Sequence, residues 1–152
     1  MINIGAVKRA HARLELQTNL VMMRAADAAG RFAVEHVASF SNFKRRSPVG
    51  DSLKDTTTYR VMRTPGGRVI RVLVRATKPY AGFVEFDTKP HEIVARRKRF
   101  LRFTVGGRTV FARRVRHPGT KGFRFLYNAT HAASRIFAQQ VQADLARVAA
   151  RF

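Results

Sequence analysis

Apolar and small residues return at Ile4, Val7, His11, Leu14, Thr18, Val21, Ala25, Ala28 and Phe32, close to the 3.6-residue period of a helix. The spacing predicts one long helix over residues 4–39, within a 1–40 segment, and the alanines at 25, 26, 28 and 29 raise its propensity. Gly30 weakens the middle by roughly 1 kcal/mol relative to alanine, so a bend is expected there. A helix of this length is long for so small a chain; it packs in the core, with contact to a neighbouring subunit as the alternative.

The period then shortens. Thr56–Arg63 and Arg68–Ala76 read as paired strands around Thr64-Pro65-Gly66-Gly67, with Ile70, Val72 and Val74 on one face and Arg71 and Arg75 on the other. Tyr59 and Val61 supply the facing side of the first strand. A two-stranded ribbon is marginal by itself and needs a helix or a second ribbon to pack on. Lys78-Pro79-Tyr80 opens a short helix over 79–86, since proline suits the first helical position. A second hairpin follows, with strands at Phe100–Val105 and Arg108–Arg116 about the Gly106-Gly107 turn. Residues 123–152 close the chain as an amphipathic helix. Its stripe runs through Leu126, Ala129, Ala133, Ile136 or Phe137, Val141, Leu145 and Val148, with Asp144 lying away from it. The expected architecture is α+β: antiparallel hairpins over 56–116 forming a sheet packed by two long terminal helices, in one domain spanning 1–152. Tyr80, Phe83, Phe86, Phe103, Phe125 and Leu126 are expected to share one buried cluster.

Charge changes the picture. The 152 residues hold 30 Lys and Arg against 9 Asp and Glu, a formal net charge of +21. Such a field draws polyanions, whether nucleic acid, an acidic protein surface or anionic lipid. No acidic residue interrupts the chain from Arg96 to Arg124. Within that span Arg96, Arg97, Lys98, Arg99, Arg102, Arg113, Arg114 and Arg116 make a basic ribbon interleaved with aromatics. It suits a phosphate backbone or an acidic partner, or else serves to keep an edge ribbon from aggregating. Lys44-Arg45-Arg46, in a loop with Ser47-Pro48 and Gly50-Asp51-Ser52, touches phosphate or is solvated.

Specific chemistry is sparse. There is no cysteine, hence no disulfide framework and no thiolate metal site. The five histidines show no metal-ligand spacing, and there is no P-loop, paired-carboxylate motif or serine nucleophile elbow. No catalytic residue, metal or cofactor is expected. His117, before Pro118, is read as a turn residue whose side chain bonds the backbone, and Gly119 as a residue with positive φ. Glu85, a lone acid among aromatics, pairs with an arginine inside the chain or across a subunit interface. No secretory signal is expected, and no apolar run reaches the length of a membrane span.

One ordered set of residues carries a resemblance. Tyr80, Ala81, Val84, Glu85, Phe86, Thr88 and His91 are followed by Leu101, Phe103, Gly106 and Phe111. The set closes with His117, Pro118, Gly119, Thr120, Phe125, Leu126 and Ala129. It covers about a third of the chain and resembles the neck, or tail-completion, proteins of long-tailed bacteriophages. Asp87 is a departure, standing where the family pattern has glycine. The resemblance implies a non-enzymatic virion protein at the head–tail interface, assembled in the bacterial host cytoplasm. It implies a homo-oligomeric ring between portal, adaptor or head-closure proteins and the tail terminator, with double-stranded DNA in the channel and no membrane partner. Tyr80, Glu85 and Asp87 are then the subunit-interface candidates, and His117, Pro118 and Gly119 the structural turn. The alternative from a different class is a stand-alone basic nucleic-acid-binding protein.

Overall fold

The structure, a computed structural model, describes residues 4–39, 53, 55–64 and 70–150. Its architecture is α+β, with a long helix at each end and antiparallel hairpins between them. In order these are α1 (Ile4–Ser39), β1 (Thr57–Arg63), β2 (Ile70–Ala76), α2 (Ala81–Glu85), β3 (His91–Val94), β4 (Leu101–Val105), β5 (Arg108–Ala112), β6 (Arg114–His117) and α3 (Phe125–Ala149). The strands form three separate two-stranded ladders: β1–β2, β3–β6 and β4–β5. The chain read from sequence as one domain divides into two compact units, one of residues 1–81 with 125–152 and one of Gly82–Arg124.

The first unit holds the apolar core. Helix α1 packs on β1, β2 and α3, and α3 also touches β2. Among the described residues its buried apolar side chains are mostly small: Val21, Ala25, Ala26, Ala29, Ala33 and Val37 on α1, Leu53 and Ala81 outside the long helices, and Phe125, Ala129 and Ala133 on α3. Small residues let the two helices approach closely, and Phe125 is the largest fully buried side chain among the described residues. Strand β2 alternates as its sequence predicts, with Ile70, Val72 and Val74 inward and Arg71 and Arg75 outward. Tyr59 pairs with Val74 and Val61 with Val72, so the inward face is shared by both strands. The expected turn at Pro65-Gly66-Gly67 and the loop carrying Lys44-Arg45-Arg46 lie outside the described residues.

Gly30 has a different role from the one its propensity suggests. The helix runs continuously through it, and a Cβ there would sit 2.6 Å from Cε2 and 2.8 Å from Cγ of Tyr59. The ring therefore lies directly on the helix backbone. One turn back, the Tyr59 hydroxyl donates to Asp27 Oδ1 at 2.7 Å, and Asp27 also pairs with Arg31 at 2.8 Å. That hydrogen bond, and burial after it, raise the Tyr59 pKa above its ordinary value of 10.0. Residues 27 and 30 share a helix face, so one tyrosine keys β1 onto α1.

Three expectations are corrected. The last helix begins at Phe125, not Phe123, because Arg124 takes a left-handed conformation with φ 50°. Asp144 is buried, bonded by Gln140 at 3.0 Å and Arg147 at 3.1 Å, whereas Leu145 of the expected stripe is exposed. The stripe rotates by one residue there because Asp144 carries its own partners in with it. Finally, Phe83 and Phe86 are 69% and 68% exposed, and Tyr80 is 40% exposed, so the six-residue cluster does not exist. Helix α2 has only five residues, too short a surface to hold an inward aromatic stripe. Of the six, Phe125 is fully buried, while Phe103 and Leu126 are half-buried.

Candidate functional site

The second unit is built on backbone pairing. Thr88 and Thr120 form an isolated antiparallel bridge, with Thr88 N donating to Thr120 O at 2.9 Å and Thr120 N to Thr88 O at 3.3 Å. Their hydroxyls add to it: Thr120 N also donates to Thr88 Oγ1 at 2.8 Å, and the two Oγ1 atoms lie 3.2 Å apart. Farther along, β3 pairs with β6 so that His91 faces His117, their rings 5.1 Å apart and tilted by 31°. Beside the bridge, Phe123 N donates to Val84 O at 2.8 Å and Arg124 N to Glu85 O at 3.2 Å. The two ends of the unit are thereby clamped together.

Two glycines make this closure possible. Gly119 sits at φ 90°, and a Cβ on it would collide with the Thr88 carbonyl oxygen. Its N–H donates to His117 Nδ1 at 3.1 Å, so His117 bonds the backbone of its own turn. A Cβ on Gly122 would meet Glu85 O at 2.5 Å and Phe86 C at 2.6 Å. The Gly122 N–H donates to Asp87 Oδ1 at 2.7 Å. Asp87 has no left-handed backbone; its carboxylate instead holds the returning chain at Gly122, a use that glycine could not supply.

The basic ribbon is organised differently from its sequence reading. Strand β5 ends at Ala112, and after Arg113 the chain leaves β4 and pairs with β3 as β6. Only Leu101–Val105 and Arg108–Ala112 form the β4–β5 hairpin, around Gly106 (φ 55°) and Gly107 (φ 79°). Positive φ at both turn residues is the twist-matched hairpin geometry that two glycines permit. Arg96, Arg97, Lys98 and Arg99 are all exposed in the bend before β4, as are Arg102, Arg113, Arg114 and Arg116. Arg114 meets Glu92 at 3.3 Å across the ladder, with both side chains well solvated. Such a pair contributes little stability and leaves most of the positive field unopposed.

Phe100 was not singled out from sequence, yet the guanidinium carbons of Arg99 and Arg113 lie 5.6 Å and 5.8 Å from its ring centroid. This gathers two cations from different bends of the chain around one half-exposed aromatic ring. The signal was the aromatic directly after a four-residue basic run; its second cation, thirteen residues downstream, carried none. Among the interface candidates, Tyr80 is partly exposed, Glu85 is buried within the chain, and the Asp87 carboxylate holds Gly122. A cleft of about 600 Å³ opens between Phe83, Asp87, Thr88, Lys89, His91 and Thr120. Among the described residues no group of three or more His, Asp or Glu side chains is placed to hold a metal ion. No described helix is long and apolar enough to cross a membrane. Comparison with family models, curated protein sequences and solved structures gives no match.

Proposed function

We propose that this chain is a structural subunit of the head–tail connector of a long-tailed bacteriophage, assembling as a homo-oligomeric ring in the virion. One observation carries the reading. The residues of the family-like set are separated in sequence but meet in space: Thr88 bridges Thr120, His91 faces His117, and Gly119 lies against Thr88. On this reading that closure is the structural element the family-like residues build. The chemistry on this reading is docking and electrostatics, with the exposed run Arg96–Arg99 turned toward DNA in the channel or an acidic adjoining ring. Uncompensated charge of this density repels itself within a ring unless phosphates or acidic neighbours offset it.

Purified virions analysed by mass spectrometry test it: the chain should copurify at low copy number and appear at the neck in electron microscopy. Absence from particles, with the chain free in the lysate, would sink the proposal. A second reading, a free nucleic-acid-binding protein, is favoured by the solvated arginines gathered at Phe100. Changing Arg96, Arg97, Lys98 and Arg99 to Gln discriminates between the two. A free DNA binder loses affinity with a shallower salt dependence, while particle yield stays at the parent level.

A further inference from the structure

The β4–β5 hairpin pairs with no other strand among the described residues, so its own ladder defines its two faces. One face carries Leu101 and Phe103, both half-buried, opposite Ala112 and Val110. The other face is exposed throughout. Arg102 stands there opposite Phe111, and Thr104 opposite Thr109. Phe111 is 63% exposed, a whole ring turned to solvent in the middle of a regular strand.

Alternation carries the exposed face one pair beyond the ladder. Phe100 and Arg113 flank its last pair, Leu101–Ala112, and the Arg113 guanidinium lies against the Phe100 ring together with that of Arg99. Arg113 is fixed at its backbone too, since its carbonyl accepts from Ala95 N at 3.0 Å. Phe100 thus acts as a post that holds two guanidiniums. Phe111 lies diagonally from that post, at positions roughly 7–8 Å apart on a regular ladder, with Arg102 directly across from it. One free ring is thereby set among three cations.

Charge alone does not account for this arrangement. A duplex backbone or an acidic protein surface asks only for cations, and leaves the Phe111 ring without a partner. In a duplex the base faces are covered by their neighbours. An unpaired strand asks for both components, an aromatic face for a base and cations for the phosphates on either side. We infer that the exposed face of the β4–β5 hairpin binds single-stranded nucleic acid. A base stacks on Phe111, while Arg102 and the Arg99–Arg113 pair hold the adjoining phosphates. No acidic residue from Arg96 to Arg124 opposes them. Every base has a π-face, so this contact is tolerant of sequence. The inference goes beyond the connector and DNA-binding readings, neither of which requires unpaired bases.

The test uses the full chain and fluorescence anisotropy at moderate salt, with three labelled probes of one length: oligothymidylate, the same strand without bases, and a duplex. Oligothymidylate should bind about tenfold more tightly than the abasic strand. Phe111→Ala should erase that difference and leave abasic binding at the parent level. Phe111→Leu, which keeps bulk without a π-face, should do the same, and Phe111→Tyr should behave as the parent. Arg102→Gln should weaken both single strands and make their salt dependence shallower. The chain has no tryptophan, so Phe111→Trp adds a single reporter whose emission oligothymidylate should quench and the abasic strand should not. These substitutions are at exposed positions, and circular dichroism verifies the fold of each variant. No binding of oligothymidylate, equal affinity for the abasic strand, or tighter binding of the duplex overturns the inference. So does an unquenched Phe111→Trp, or a Phe111→Ala that weakens both single strands alike. None of these readouts depends on whether the chain is found in virions.

Discussion

Among its described residues the first unit buries eleven apolar side chains, Val21 through Ala133, whereas the second, Gly82–Arg124, has Glu85 as its one buried side chain. The first is held by area removed from water, the second by main-chain pairing and by turns only glycine can make. These are different kinds of order. Burial tolerates small adjustments of sequence as long as volume is kept, whereas backbone closure at Gly119 and Gly122 admits no side chain at all. A unit without an apolar core also leaves aromatic side chains in solvent, among them Phe83, Phe86 and Phe111.

The sharpest way to break this contrast is to remove a side chain from each unit. Phe125→Ala should cost about 3–5 kcal/mol, because it empties a fully enclosed site, and chemical denaturation should show it. The same change at half-buried Phe103 should cost about 1 kcal/mol, the transfer of part of one ring. Equal losses would mean that the second unit has a core after all. Next in size is Gly119→Val, expected to cost roughly 2–3 kcal/mol from strain at positive φ and collision with Thr88. Hydrogen exchange should show the Thr88 and Thr120 amides losing protection while amides of α1 keep theirs; uniform loss would deny the units separate stability.

Gly30→Ala probes the first unit at the one place where it, too, depends on a missing side chain. Helix propensity favours alanine by about 1 kcal/mol, but the ring of Tyr59 occupies the space, and overpacking costs roughly 1–3 kcal/mol. A lower melting temperature is expected, turning into a gain when Tyr59 is also changed to Ala. The smallest effect concerns pH. The Tyr59 hydroxyl has its folded pKa raised by its bond to Asp27, so its contribution is fully present below the unfolded value near 10. It is lost as pH rises through the higher folded value. Melting temperatures taken across that alkaline range should fall more steeply for the parent than for Tyr59→Phe.

Where a residue's position was fixed by periodic burial, it was legible in the sequence. Helix α1 runs unbroken over Ile4–Ser39 with its stripe buried at Val21 and Ala25, and β2 alternates as its valines and arginines require. The Gly106-Gly107 turn was legible for a different reason, since two adjacent glycines specify a backbone conformation directly. Strand β3 was not, because all four of its residues are exposed and no alternation marks them. Its pairing with β6, which divides the expected second strand at Arg113, is a long-range choice that no local pattern encodes. The aromatics of α2 misled because hydrophobicity was read as burial, and apolar atoms make up much of any folded surface. At the candidate site, Gly119 and His117 were readable from turn chemistry. The Asp87–Gly122 bond and the gathering of Arg99 and Arg113 over Phe100 were not, since each joins residues well separated along the chain.

The clamp between Val84 and Phe123, and between Glu85 and Arg124, has a consequence for how the chain can vary. An excursion that departs and returns at neighbouring backbone atoms asks the same thing of its host whatever its length. Loop-closure entropy grows only logarithmically with the residues enclosed, and here the closure is made by hydrogen bonds belonging to the excursion itself. The segment is therefore an insertion cassette. Lengthening or shortening its β4–β5 ribbon is expected to leave the packing of α1 on α3 unchanged.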